Sequence, residues 1–329
     1  GAVSRRRFIG ITAAAAGLSL LPATGTVRAD AHVVTWRGTA MGAVATLRIH
    51  HHDRAAAERL VARALAEVRR LEQVFSLYRD DSAIVVLNRH GVLAAPPAEL
   101  VQLLAECRRY WELTDGLFDP TVQALWTLYR DHFSKPAANA AGPPRETLEA
   151  ALDKVGFPYL AADANRIVLR RRGMGLTLNG IAQGYVTDRV VDMLRAENID
   201  HSLVDMGESR ALGARPDLHP WTVAVADPDG AGDAAETLQI VDQAVATSAP
   251  SGFRFDPAGR CNHLFDPRSG LSASLYRSVT VVAPTATAAD ALSTACSLMP
   301  VDRIESVMRA GGGGRVLLIG ADGTRLVRV

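Results

Sequence analysis

Cysteine is scarce in this sequence: Cys107, Cys261 and Cys296 are widely spaced, and no CxxC pair occurs. An odd count at such spacing excludes a disulfide framework and a cysteine-rich zinc site. A single disulfide stays open, because an oxidising compartment would permit it. For Cys107 and Cys296 we favour buried apolar thiols, since both lie in helical apolar patterns.

An excess of charge of either sign is also lacking. The 329 residues include 36 basic and 35 acidic ones, for a net charge of +1, so there is no electrostatic reason to expect nucleic acid as a partner. A hydrophobic share of 48% and a charged share of 22% are typical of a globular protein with an ample core. No internal repeat is found, and no break requires two domains.

The apolar segment near the start, residues 9–21, is too short for a membrane span, which needs roughly 20 residues. It follows the pair Arg5-Arg6 and precedes Val27-Arg28-Ala29, whose small residues suit a signal peptidase. The whole stretch resembles a twin-arginine export signal. We predict a signal over residues 1–29 with cleavage after Ala29. A single periplasmic domain over 30–329 would remain, without a membrane anchor of its own.

Hydrophobic periodicity predicts an α+β fold with meandering strands. Helices are predicted over 53–75, from 97 to about 114, around 125–129, and over 181–197 and 287–298. Strands are predicted over 33–49 (interrupted at 40–42), 166–170, 175–178, 202–205, 221–226, 238–241 and 276–282, with a closing hairpin of 315–319 and 325–329. The polar connection over 134–144 is the best candidate for an insertion.

Residues 261–270, CNHLFDPRSG, are the most informative stretch. His263, Asp266 and a serine-glycine turn lie within eight residues of one another, and such polar groups need partners or water when they are buried. The segment from Asp266 to Gly270 is typical of a turn, because proline fixes one backbone angle and glycine adopts a conformation that other residues resist. His263 and Asp266 would flank this bend as a candidate active site.

A second polar group lies on the predicted helix at 287–298. Asp290 and Thr294 project from one face, one turn apart, with Ser293 beside them. A carboxylate and a hydroxyl in this arrangement suit a hard cation. From these residues alone, the simpler interpretation is a threonine bonded back to the preceding turn, with Asp290 as a polar edge.

Two glycine-containing segments are weaker indications. In residues 178–185, LNGIAQGY, a strand would lead through Gly180 into a helix whose free amides favour phosphate, but the dinucleotide spacing and the P-loop lysine are missing. In residues 116–121, GLFDPT, an acid is fixed by a proline. A helix N-cap at Asp119, with Pro120 in the first turn, explains that pattern at least as well.

Together these residues resemble the ApbE family of FAD:protein FMN transferases, from Ala40 to about Pro300. The matching motifs, in the family's order, are Ala40-Met41-Gly42, then Ser76, Tyr78, Ser82 and Asn88, then 116–121, 180–185, Trp221 with Asp227-Pro228, Ala246-Thr247-Ser248, 263–270 and 290–295. The resemblance implies an ApbE-like, T-fold-like domain in which mixed or antiparallel sheets and packed helices hold FAD in a cleft.

The resemblance also implies roles for individual residues. His263, with Asp266, would be catalytic, acting as a base toward the acceptor hydroxyl or as a positioning group. Mg²⁺ at the pyrophosphate would be ligated by Asp290, Thr294 and the carbonyl of Gly180, with Ser293 as a polar neighbour. The FAD contacts would be Met41, Tyr78, Leu117, Phe118, Asp119, Thr177, Gln183 and Leu264.

The implied reaction transfers FMN from FAD to an acceptor threonine and releases AMP. This chain contains no good copy of the family's acceptor pattern, so the acceptor would be a separate, membrane-bound protein. Two departures from the family affect the cleft. Thr177-Leu178-Asn179-Gly180 stands where D-L-G-G is common, and Glu208 replaces a glycine and would restore a carboxylate. With the export signal, these variants look most like the branch associated with nitrous-oxide respiration.

Two other functions stay open at this point. A Mg²⁺-dependent FAD pyrophosphatase would use the same residues, with water in place of the threonine. A flavin carrier would bind FAD without chemistry.

Overall fold

The computed structural model describes residues 25–30, 33–226, 228 and 234–328. The arginine pair and the apolar part of the predicted export signal lie outside these ranges, so the signal stays a prediction. The last residues before the predicted cleavage point belong to a strand, Gly25–Asp30, which pairs antiparallel with the next strand. Within the described residues, no helix is both long and apolar enough to cross a membrane.

One antiparallel sheet of nine strands dominates the described fold. The described strands are β1 (Gly25–Asp30), β2 (Val33–Ala40), β3 (Ala43–His50), β4 (Val92–Ala94), β5 (Leu160–Ala162), β6 (Arg166–Leu169), β7 (Ser202–Asp205), β8 (Ser209–Leu212), β9 (Trp221–Ala226), β10 (Ala234–Ile240), β11 (Ala244–Ser248), β12 (Tyr276–Ala283), β13 (Arg315–Gly320) and β14 (Arg325–Arg328). The large sheet runs β1-β2-β3-β7-β8-β11-β12-β13-β14, while β9–β10 and β4-β6-β5 form two small sheets.

The helices follow the sequence pattern closely. They are α1 (Arg54–Phe75), α2 (Ala83–His90), α3 (Ala98–Leu113), α4 (Gln123–Phe133), α5 (Arg145–Leu152), α6 (Ala182–Ala196), α7 (Ala286–Cys296) and α8 (Val301–Ala310). Helix α1 begins after Asp53, whose side chain accepts from the Ala56 N–H, and α7 begins after Thr285, which caps Ala288 in the same way. These caps satisfy amides that the first helical turn leaves without a partner.

Both faces of the large sheet are covered, which explains why β12 is buried along most of its length. Val281 packs into the main core under the helices, whereas its neighbour Val282 packs against the β9–β10 hairpin through Trp221 and Ile240. Since successive side chains of a strand point to opposite faces, the run of β-branched residues in β12 serves two cores. All three cysteines are buried and free.

The predicted α+β fold with antiparallel sheets and packed helices is confirmed, but some elements differ from expectation. Residues 175–178 have no regular secondary structure and belong to no sheet. Their backbone is held instead by the side chain of Asn88, which donates to the Leu176 carbonyl (2.9 Å) and accepts from the Leu176 N–H (2.7 Å). Helices α2, α5 and α8 were not predicted; α5 directly follows the polar connection that we interpreted as an insertion.

Candidate active site

A cavity of about 440 Å³ opens where α6, α7, the segment 117–122 and the loop carrying His263 meet. Its volume lies in the range of small-molecule and cofactor pockets. Most of the predicted site residues line it: Leu117, Phe118, Asp119, Thr177, Gly180, Gln183, His263, Leu264, Asp290 and Thr294. Residues separated by more than 170 positions are therefore brought to one site.

The loop that carries His263 is fixed from both sides. The Asn262 side chain donates to the Ala273 carbonyl (2.9 Å) and accepts from the Leu264 N–H (3.0 Å). The buried carboxylate of Asp256 accepts from the Cys261 N–H at 2.9 Å. Because Asn262 and Asp256 bond to backbone groups, they set the direction of the chain through His263.

A cluster of aromatic side chains packs against this loop. Phe253 lies 5.5 Å from Trp126 of α4 and 4.8 Å from Phe255, measured between ring centroids. Tyr129, one turn further along α4, donates its hydroxyl to the Gly270 carbonyl at 2.8 Å. Offset and edge contacts of this kind add specific geometry to apolar burial, so α4 serves as the platform for the His263 loop.

The imidazole of His263 is held as a neutral base. Nδ1 lies 3.4 Å from the Phe253 carbonyl oxygen, which can only accept, so the proton of the neutral ring belongs on Nδ1. Burial lowers the pKa of His263 to about 4, and this hydrogen bond only partly opposes it. Nε2 is left with its lone pair on the ring's other edge.

Asp266, the second predicted catalytic residue, serves the turn. Its carboxylate accepts from the Arg268 N–H at 2.8 Å, while its backbone bonds to Leu271 and Gly270. It is not among the described residues that line the cavity. Asp266 therefore shapes the bend after His263, and its catalytic role stays a prediction.

The predicted metal ligands lie together on the cavity wall. The Thr294 hydroxyl donates to the carbonyl oxygens of Gly180 (3.2 Å) and Asp290 (3.0 Å), so the back-bonded arrangement and the predicted cluster are both present. Ser293 is fully buried; it bonds to Ser248 at 2.8 Å and does not line the cavity. The cluster thus consists of a carboxylate, a hydroxyl and a carbonyl.

The Asp290 carboxylate can reach this wall because α6 and α7 approach closely at Gly184. A Cβ atom at position 184 would lie 2.2 Å from the Ala286 carbonyl oxygen, so only glycine fits. The Gly184 N–H, in the first turn of α6, donates to the Asp290 carboxylate at 2.9 Å. Burial raises the pKa of Asp290 to about 7, with this hydrogen bond opposing the shift.

Asp119 is an N-cap, as one interpretation of its sequence pattern predicted. One carboxylate oxygen accepts from the N–H (2.8 Å) and hydroxyl (2.6 Å) of Thr121, and the other accepts from the Phe157 N–H (3.1 Å). Asp119 caps the short 3-10 turn Pro120–Val122. Both oxygens are engaged within the protein, so this residue positions Leu117 and Phe118 at the cavity.

Met41 and Tyr78 do not line the cavity. Met41 is fully buried in the turn between β2 and β3 with φ +53°, and its carbonyl accepts from the side-chain amide of Gln183 at 3.0 Å. Gln183 does line the cavity, so Met41 acts one step behind it. Tyr78 is partly buried and packs against the main core.

Comparison with known proteins identifies the family and the fold. A sequence model of the ApbE family matches residues 41–318. This chain belongs to the ApbE family. The FAD:protein FMN transferase of Treponema pallidum (strain Nichols) is 32% identical over 307 residues, which cover 86% of this chain and 83% of that protein.

Solved ApbE structures share the whole architecture. The crystal structure of the ApbE protein from Thermotoga maritima matches with a TM-score of 0.76 at 28% identity, covering 92% of this chain and 96% of that one. The flavinyl transferase ApbE from Pseudomonas stutzeri, in its apo form, matches with a TM-score of 0.75 at 26% identity, over 94% and 96% of the two chains.

The two departures from the ApbE pattern both face the cavity. Glu208 lies near Asp290, and burial raises its pKa well above the ordinary value, as do the charges of Asp290 and Asp205. Asn179 has a buried side-chain oxygen with no hydrogen-bond partner among the described residues. A carboxylate pair and an unpaired acceptor indicate a wall that is completed by a ligand.

Residues that sequence reasoning missed complete the lining. They come from β11, the 3-10 turn after it, and the helix that carries the aromatic platform, and they include Trp126, Thr247, Ser248, Ser251 and Gly252. The small-residue motif at 246–248 signalled some of them. Trp126 gave no signal beyond helical periodicity, since its contact with the cavity depends on how α4 packs.

Proposed function

We propose that this chain is a Mg²⁺-dependent FAD:protein FMN transferase that moves FMN from FAD to a threonine of a separate protein and releases AMP. The observation that carries the proposal is that one cavity contains a neutral, oriented imidazole and an oxygen-rich acidic wall. Relatives that match most of the chain and are FAD:protein FMN transferases support it.

The acidic wall fits a magnesium ion by its chemistry. Asp290, the Thr294 hydroxyl and the Gly180 carbonyl are all oxygen ligands of the kind that Mg²⁺ prefers. The carboxylate of Glu208 lies near that of Asp290, so a cation would relieve the cost of burying two negative charges. The described residues contain no group of three or more His, Cys, Asp or Glu side chains that could hold a metal. The proposed ligand set does not require such a group, because it combines one carboxylate with a hydroxyl and a carbonyl oxygen. Bound Mg²⁺ would neutralise the negative charge of the pyrophosphate.

The chain's own residues would then act on the two reacting groups. Nε2 of His263 accepts the proton of the acceptor threonine, and the threonine oxygen attacks the phosphorus on the FMN side of FAD. The bond between that phosphorus and the bridging oxygen breaks, AMP leaves with the bonding electron pair, and the proton passes to solvent or to the departing phosphate. Leu117, Phe118 and Gln183 would hold FAD so that attack is in line.

The test is incubation with FAD, Mg²⁺ and a candidate acceptor, followed by intact-protein mass spectrometry. Transfer adds the mass of an FMN phosphoester to the acceptor, in amounts matching the AMP released. The acceptor's Thr→Ala variant is the matched control and should stay unmodified. Free FMN and AMP without an adduct would instead establish an FAD pyrophosphatase, and unchanged FAD would establish a carrier.

The export signal completes the proposal. A twin-arginine signal over residues 1–29 would place this enzyme in the periplasm, where it would serve a membrane-bound electron-transfer protein of nitrous-oxide respiration. If so, Arg5→Lys with Arg6→Lys retains the protein in the cytoplasm, because the signal and not the mature domain directs export. Recovery of the double variant from the periplasmic fraction at the wild-type level would contradict the export route.

A further inference from the structure

A second depression, of about 350 Å³, adjoins the cavity. Pro228 and Ser251 line both, so the groove and the cavity share a boundary at these residues. The loop carrying His263 divides the two, with Asn262 facing the groove and His263 facing the cavity. A chain lying in the groove can therefore present one of its side chains beside His263.

The groove is basic. Arg254, Arg260 and Arg277 line it and are exposed, and no acidic residue is among its described lining. Within the described part of the chain, neither Arg254 nor Arg260 forms an ion pair, unlike many surface arginines of this protein. Asp256, in the same loop, is buried and bonds to backbone amides, and the exposed Asp322 interacts with Arg277, whose charge helps to lower the pKa of that carboxyl. The exposed guanidinium groups of Arg254 and Arg260, in a protein of net charge +1, create a local positive field.

The position of Arg254 is set by the turn beneath it. A Cβ atom at Gly259 would lie 3.1 Å from both Cδ and Nε of Arg254, so the absence of a side chain at 259 lets the arginine lie across the turn. The backbone of Arg254 also pairs with Asn262 in an isolated bridge. A guanidinium that is partly positioned before binding loses less entropy when it meets a carboxylate.

We propose that this groove, defined by Arg254, Arg260 and Arg277, docks an acidic segment of the acceptor protein next to its target threonine. The inference rests on the proposed transferase function and names the partner chemistry of the same site. Aspartates and glutamates flanking the threonine pair with Arg254 and Arg260, and the threonine lies at the junction near Ser251, within the reach of His263. Charge in the groove thereby selects the acceptor, while the cavity binds FAD.

The experiment compares two synthetic peptides of twelve residues with a single central threonine. In one, four flanking positions are Asp or Glu; in the other, the same positions are Asn or Gln. For Arg254→Glu with Arg260→Glu, we expect the KM of the acidic peptide in FMN transfer to rise about tenfold. The Kd for FAD and the KM of the neutral peptide should change less than about twofold.

Two variants make the result specific. Arg59→Glu with Arg309→Glu, two exposed positions on α1 and α8 outside the groove, changes charge equally and should leave every constant unchanged. Arg254→Gln with Arg260→Gln removes the positive charges without adding negative ones, so the KM of the acidic peptide should rise less than with the two glutamates. A loss of FAD affinity that matches the loss of peptide affinity would overturn the proposal, because the groove would then serve the nucleotide.

Failure of the transferase function can be told apart from failure of the groove. If the wild-type protein transfers nothing to either peptide, fluorescence anisotropy of the labelled acidic peptide still reports binding. Tighter binding by the wild type than by the charge-reversed variant, weakened by added salt, would support the groove alone. Equal binding by the two proteins would refute it whatever the chemistry.

Discussion

The acidic wall of the cavity depends on the carboxylate of Asp290. Asp290→Asn keeps the side-chain volume and an oxygen for the Gly184 N–H, but it removes the charge. We expect FMN transfer to fall at least about a hundredfold, as when one electrostatic contact to a reacting group is lost, and calorimetric binding of Mg²⁺ to become undetectable. FAD binding should weaken but persist.

The matched control is Asp192→Asn, an exposed aspartate on α6, for which transfer and Mg²⁺ binding should equal those of the wild type. Chelator-sensitive transfer by Asp290→Asn at near the wild-type rate would show that Asp290 is not a ligand.

His263 should stay neutral across the physiological range. Its pKa of about 4 in the folded protein lies below the ordinary value of 6.5, so the unfolded chain takes up a proton first as the pH falls. This group therefore destabilises the fold progressively between about pH 6.5 and 4, and contributes no such loss above pH 6.5. NMR titration of the imidazole, assigned with His263→Gln, should show no protonation at pH 5.5; a midpoint near 6.5 would contradict the burial argument.

The same residue should matter for transfer more than for binding. His263→Ala removes the base and leaves the cavity's other walls in place, so kcat should fall about a hundredfold or more, whereas the Kd for FAD should rise only a few fold. Asp266→Asn is the informative comparison, because Asp266 serves the turn: its loss should appear first as a lower melting temperature. Transfer by His263→Ala at the wild-type rate would remove the histidine from the mechanism.

At the scale of elements, hydrophobic periodicity predicted the helices and strands that depend mainly on residues close together in the sequence. The helices around Leu60, Leu103 and Val190 follow the three-and-four spacing of their apolar residues, and the first of them begins at a recognisable cap, Asp53. The predicted strand over residues 175–178 was wrong because an alternating apolar pattern indicates a strand but does not provide a neighbouring strand to pair with. The partner here is one side chain, Asn88, which lies 88 positions from Leu176, and no local pattern could reveal that contact.

Asn88 therefore supports the segment that presents Thr177, Asn179 and Gly180 to the cavity. Asn88→Ala leaves two backbone groups of Leu176 without their partner, so we expect a loss of about 1–3 kcal/mol in the free energy of unfolding. The Kd for FAD should rise as the segment loosens, and both effects are measurable by denaturant titration and flavin fluorescence quenching.

The control is Asn139→Ala, an exposed asparagine whose side chain accepts from the Ala141 N–H in the connection after α4. It should change stability by a few tenths of a kcal/mol and FAD binding not at all. If both variants behave alike, the segment owes its shape to packing of Leu176 and not to Asn88.

At the scale of the whole molecule, topology joins what the sequence separates. The motif spacing placed His263, Asp290 and Gly180 at one site only through the family resemblance, since their meeting depends on strand order β8-β11-β12 and on α6 packing against α7. Asp266, Met41, Tyr78 and Ser293 belong to the same motifs and lie behind or beside the wall. A motif records which residues the site requires, whereas only packing decides which of them face the cavity.

The packing of the whole molecule also bears on what becomes modified. The threonines on the cavity wall are engaged internally: Thr294 donates to two carbonyl oxygens, Thr177 accepts from the Asn179 N–H, and Thr247 pairs with Thr280 at 2.9 Å. A hydroxyl held in this way cannot swing to attack a phosphorus in line, so we expect FMN to be passed to another protein. Protein purified with bound flavin should release all of it as FAD on denaturation, and its mass should equal that of the unmodified polypeptide. A covalent FMN adduct on this chain in denaturing mass spectrometry would contradict the separate acceptor, and peptide mapping would then identify which threonine had escaped its hydrogen bonds.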